Sequence, residues 1–188
     1  MSKATRYIII SITLGFVALT IAKSFILARQ HGLVDLRTRI VGTRLITTEH
    51  SPWFYKWDPA DGDRYLDPID EAGRLVNGNV VTPATMTVIY PLSRLDYPQI
   101  AIIWTALQLL AGFLIIFLLF KQKTISSTIT QSALIVLGLI CSDYWLYNIE
   151  SGQIYIFYTL LFAAMYKTYI AVWKYNQFIS GFIGGLFI

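Results

Sequence analysis

The chain has 188 residues and a single cysteine, Cys141. No disulfide can therefore form within it, and the place of Cys141 inside an apolar run reads as a small packed hydrophobe. Charge is also scarce. Asp, Glu, Lys and Arg make up 14% of the residues, against about 25% in an ordinary soluble domain. There is no Asn-x-Ser/Thr acceptor, no Cys/His spacing suited to zinc and no glycine-rich phosphate loop. Chemistry, if present, must rest on carboxylates, arginines and amides. The net charge of +4 and the pI near 9.2 would suit nucleic acid in a soluble protein. Here the lysines flank apolar segments, so they read as topology signals and no nucleic-acid partner is expected.

Long apolar runs are plentiful. The chain is 55% hydrophobic, and runs of about 20 residues match the hydrocarbon core of a bilayer. The first covers 7–27, after Lys3 and Arg6. It is longer than the apolar region of a signal peptide and lacks a small-x-small cleavage site, so it reads as an uncleaved anchor. Lys23 near its far end can snorkel outward. The second run covers 98–120 after Asp96-Tyr97-Pro98-Gln99, a capping-box pattern with proline where a missing N–H is harmless. Further runs cover 129–147, 154–173 and 178–188. Eleven residues cannot span a bilayer as a helix, so the last run is expected to be the start of a span in a longer protein. The expected fold is an all-α polytopic membrane protein with about five transmembrane helices. Lys3, Arg6, Lys121, Lys123, Lys167 and Lys174 fall on one side of consecutive spans, which puts the N-terminus in the cytoplasm. The lack of glycosylation acceptors and the single cysteine agree with a bacterial inner membrane.

Residues 29–97 then form a long exported loop, facing the periplasm or the cell exterior, too long for a passive connector. From Asp35 to Ile46, Leu36, Ile40 and Leu45 share one side of a helix while Arg37, Thr38 and Arg44 lie elsewhere. This predicts an amphipathic helix lying along the membrane surface. Asp35 at its start has two readings, an N-cap or a carboxylate poised as a general base at the membrane boundary. The acids Asp58, Asp61, Asp63 and Asp67 do not follow the EF-hand pattern and read as a solvated turn, so no metal site is assigned. The segment Ser51-Pro52-Trp53-Phe54-Tyr55 suits a headgroup-level aromatic belt or a face for stacking on a sugar. Thr82-Pro83 starts another helix running to about Leu95, broken or kinked at Pro91.

An Asp after the first span, the Pro-aromatic segment, Pro83, Tyr90-Pro91 and the turn Asn148-Ile149-Glu150-Ser151-Gly152-Gln153 occur here in one order. Together with Gly181, Gly184 and Gly185, they give the chain a pattern that resembles the N-terminal part of glycosyltransferase family 87 (DUF2029), within the GT-C superfamily. At one position it departs: Tyr155 stands where that family often has Asn. The resemblance implies a GT-C-like enzyme that moves a hexose, often mannose, from a polyprenyl-phosphate donor to a glycan or glycolipid hydroxyl on the non-cytoplasmic face.

On that reading Asp35 is the candidate base. Arg37 and Arg39, with Arg44 nearby, are candidate phosphate contacts. Tyr90, Asp143, Asn148, Gly152 and Gln153 complete the candidate substrate and donor site. Asp143, close to the outer end of the third run, is either a cavity-facing carboxylate or a hydrogen-bonded packing residue. No cofactor is expected, and assistance by a divalent cation is left open. Gly181-x-x-x-Gly185 predicts a close helix–helix contact. The competing reading is a non-enzymatic membrane protein, a transporter subunit or scaffold, or an inactive member of the same fold.

Overall fold

The computed structural model describes residues 2–31, 33–53, 55, 58, 60, 65, 82–120, 129–170 and 176–185. Among the described residues there is no strand. The helices are α1 (Lys3–His31), α2 (Val34–Ile46), α3 (Pro83–Ile89), α4 (Tyr97–Phe120), α5 (Ile129–Ile140), α6 (Asp143–Ser151), α7 (Tyr155–Ile170) and α8 (Asn176–Gly185). Among the described residues, three segments are long and apolar enough to cross a membrane: Lys3–Gln30, Tyr97–Leu118 and Ile129–Ser151. They correspond to the first three apolar runs. Ile12, Leu14, Phe16 and Leu19 of α1 are all exposed. A helix that is apolar and uncovered on several sides suits lipid as its solvent and not water.

The chain divides into two compact units. One comprises Met1–Ser24, Ala106–Ile149 and Ile154–Ile188, the other Phe25–Thr105 with Glu150–Gln153. In the first unit the expected run 129–147 is interrupted at Cys141 and Ser142. The Ser142 hydroxyl accepts the Trp145 backbone N–H at 3.2 Å and so caps a new helix, α6. That helix continues to Ser151, four residues beyond the expected end of the run. Two polar contacts join distant segments of this unit. Gln108 Nε2 donates to the Asn148 carbonyl at 3.1 Å, and the Thr20 hydroxyl donates to Cys141 Sγ at 3.1 Å. The helices α7 and α8 pack together, and Ser180 Oγ donates to the Met165 carbonyl at 3.1 Å. The glycine pair expected to mediate a close helix contact does not do so. A Cβ at Gly181 or Gly185 would meet nothing within 4 Å.

Gly112 is the glycine of this unit that packing demands. A Cβ there would overlap the six-membered ring of Trp145, whose side chain is buried against it. Gly112→Ala is expected to destabilise the protein by about 1–3 kcal/mol, the usual cost of overpacking. Thermal unfolding in detergent checks this, and Trp145→Phe in the same chain should recover part of the loss. An unfolding temperature unchanged by Gly112→Ala would contradict the packing.

The second unit is built on α2. Leu36, Arg37, Arg39, Ile40, Val41, Gly42, Thr43 and Leu45 are all buried. Burial thus reaches round most of the helix, arginines included, and this corrects the expectation of an amphipathic helix with its polar face in the headgroups. Arg39 lies inside with partners, the Gly152 carbonyl and Gln153 Oε1. Arg44 donates from Nε to the Ser93 carbonyl at 2.9 Å and from NH2 to the Leu95 carbonyl at 3.1 Å, tying α2 to the turn Leu92–Arg94.

The helix α3 begins as expected at Pro83, with Thr82 as its cap. It ends at Ile89, and the chain turns through Tyr90 and Pro91. Beyond α2, Tyr55 and Tyr65 pack on Val41 and Leu45, and the Tyr65 hydroxyl donates to Thr48 Oγ1 at 2.7 Å. The two tyrosine rings meet edge-on at 5.5 Å, with His50 within 5.8 Å of both. Tyr55, expected at the headgroups, is thus part of a small protein core, while Trp53 stays exposed. Phe54 and the acids Asp61, Asp63 and Asp67 lie outside the described residues.

Candidate functional site

Two segments 118 residues apart in sequence meet in the second unit: the start of α2 and the turn after α6. Leu33, just before α2, has φ 51° and ψ 57°, in the left-handed region. This costs a leucine roughly 1–2 kcal/mol, and the complete burial of its side chain opposes that cost. The conformation sets where α2 begins. Asp35 is the second residue of the helix, and the cap position belongs to Leu33, with no side-chain cap bond. The N-cap reading of Asp35 is therefore corrected. Its carboxylate lies in the first turn, where the helix dipole favours negative charge.

Gly152 supplies the matching turn. Its φ is +69°, and a Cβ on it would lie 2.7 Å from Leu36 Cβ and 2.9 Å from Leu33 Cβ. Only glycine meets both demands, the left-handed backbone and the close approach. The turn is clamped from α2. Buried Arg39 donates from NH1 to the Gly152 carbonyl at 2.9 Å and from NH2 to Gln153 Oε1 at 3.1 Å. With its oxygen held, the Gln153 amide is oriented, and its Nε2 donates to Asp35 Oδ2. The chain Arg39–Gln153–Asp35 thus fixes one carboxylate oxygen of a half-buried aspartate. Among the described residues nothing else bonds to that carboxylate, so Oδ1 is open to a donor. Chemically, this is a positioned proton acceptor next to a buried guanidinium.

The other expected site residues are distributed differently. Arg37 is buried on α2 beside the cluster in sequence. Tyr90 belongs to the same unit but is engaged locally: its hydroxyl accepts from Arg94 NH2, and the Arg94 guanidinium lies 4.6 Å from its ring centre. Asp143 and Asn148 belong to the first unit. Asp143 is exposed at the start of α6, and Asn148 Nδ2 donates to the Tyr144 carbonyl at 2.8 Å within the same helix. Leu33 was missed by sequence reasoning, since no local pattern marks a left-handed leucine. Arg39 was named for phosphate, and the structure engages it with the turn. Compared with protein-family models, curated proteins and solved structures, the chain matches none.

Proposed function

We propose that the protein is a membrane glycosyltransferase of GT-C type, moving a hexose from a polyprenyl-phosphate donor to an acceptor hydroxyl on the non-cytoplasmic face. The observation that supports this most is the Asp35 carboxylate held by Gln153, with Gln153 itself held by Arg39. Transfer with inversion needs one base on the acceptor side, because a lipid phosphate is an acceptable leaving group. Asp35 takes the proton of the acceptor hydroxyl as that oxygen bonds to the anomeric carbon. The carbon–oxygen bond to the lipid phosphate breaks on the opposite face, and the phosphate departs with the bonding pair. Holding one carboxylate oxygen by the amide leaves the other for the incoming hydroxyl.

The test uses the full-length protein in vesicles supplied with polyprenyl-phosphate mannose and a glycolipid acceptor. Single cysteines at Ser51 and Ser151, in a Cys141→Ala background, are treated with a membrane-impermeant thiol reagent. Both are expected to label from the non-cytoplasmic side, with sugar transfer occurring at that face. Labelling from opposite sides, or no transfer from any polyprenyl-phosphate hexose, would remove the reading.

A further inference from the structure

Within the second unit the end of α1 and the start of α4 line a half-open groove of about 590 Å³. Its walls are graded. Arg29 and Tyr97 stand at the helix ends, Arg29 two residues before the end of α1 and Tyr97 the first residue of α4. One turn further along each helix lie Phe25 and Ala101, joined by Ala28 and Ile102. Four residues of helix advance about 6 Å, so a cationic and phenolic mouth gives way to an apolar floor over the depth of one turn. Both helices belong to segments long and apolar enough to cross a membrane. The ends of such helices lie at headgroup depth, and residues one turn inward lie among acyl chains. Arg29 is exposed, and among the described residues its side chain has no hydrogen bond or ion pair.

We infer that this groove seats one anionic phospholipid of the surrounding bilayer, with its phosphate on Arg29 and an acyl chain between Phe25, Ala28, Ala101 and Ile102. The graded wall matches the order of groups in a lipid, and a soluble anion would leave the apolar floor unfilled. Charge complementarity selects an anionic headgroup over a zwitterionic one, because a guanidinium facing a net-negative lipid has no competing ammonium to displace. The Tyr97 hydroxyl, in the same wall, donates to the Leu33 carbonyl at 3.4 Å. A lipid seated here therefore also braces the backbone that sets the start of α2.

The experiment is native mass spectrometry of the full-length protein released from nanodiscs of phosphatidylcholine and phosphatidylglycerol in equal amounts. The wild-type protein is expected to retain one phosphatidylglycerol with roughly fivefold preference over phosphatidylcholine. Arg29→Gln should abolish that preference, and Arg29→Lys should keep most of it. Arg29 is exposed, so the variants are expected to unfold at the wild-type temperature, which is measured in the same preparations. No preference in the wild-type protein, or an equal preference in Arg29→Gln, would overturn the inference. Displacement of phosphatidylglycerol by a trace of polyprenyl phosphate would overturn the assigned occupant. The outcome is independent of sugar transfer.

Discussion

Asp35→Asn in the full-length protein is expected to lower hexose transfer by about 10²–10⁴-fold, the range that a positioned general base contributes, and to leave thermal unfolding unchanged. Asparagine keeps the size of aspartate and retains a carbonyl oxygen that can accept from Gln153 Nε2, so the link between α2 and the turn survives. What it loses is basicity. Gln153→Ala should act more weakly. It removes the amide that orients the carboxylate but leaves the base, and the loss of a hydrogen bond of about 1–1.5 kcal/mol corresponds to roughly a tenfold fall in rate. The fall should appear in kcat more than in KM. A rate for Asp35→Asn within a few-fold of wild type would show that the carboxylate is structural and would remove the proposed base.

Gly152→Ala is expected to be the most damaging single-methyl change in the second unit. A Cβ would lie 2.7 Å from Leu36 Cβ, 2.9 Å from Leu33 Cβ and 3.3 Å from the Leu36 backbone nitrogen. None of these is the far end of a flexible side chain, so the backbone of α2 or of the turn must move. Overpacking costs about 1–3 kcal/mol and a left-handed alanine about 1–2 kcal/mol, together about 2–5 kcal/mol. For a chain of this size that lowers the unfolding temperature by roughly 4–20 °C. Because Arg39 grips the Gly152 carbonyl and the Gln153 amide, the same displacement moves Gln153 away from Asp35. Transfer should therefore fall even at temperatures where the protein stays folded. The control is Gly181→Ala. That glycine lies in a helix and faces open space, so alanine there should be neutral or gain up to about 1 kcal/mol of helix propensity. Equal unfolding temperatures for the two variants would refute the account of the Gly152 turn.

Much of this structure is written in local pattern. Apolar runs of bilayer length marked the helical class and three segments long and apolar enough to cross a membrane, of about five spans expected, because in lipid the backbone must satisfy its own hydrogen bonds. Thr82-Pro83 marked the start of α3, and Pro91 marked a break, although the helix ends at Ile89 and not near Leu95 as expected, since capping and proline act within a few residues. The break at Cys141 and Ser142 was less legible. The run looks continuous in hydropathy, and the competing signal is one serine hydroxyl that caps the next helix.

Asp35, Arg39, Gly152 and Gln153 could each be named from the sequence as polar or turn residues of interest, but no local rule says that they touch. Their meeting depends on a left-handed Leu33, on a glycine approached by two leucine Cβ atoms and on a buried guanidinium reaching across 113 residues of chain. The surface helix expected from Leu36, Ile40 and Leu45 failed for the same reason. An arginine reads as solvent-facing until a partner carbonyl is placed beside it, and only the tertiary structure supplies those carbonyls. The sequence by itself determined the helical class and three segments long and apolar enough to cross a membrane. Tertiary structure alone decided which charges lie inside and which carboxylate is held, because burying a polar group depends on partners far away in the chain.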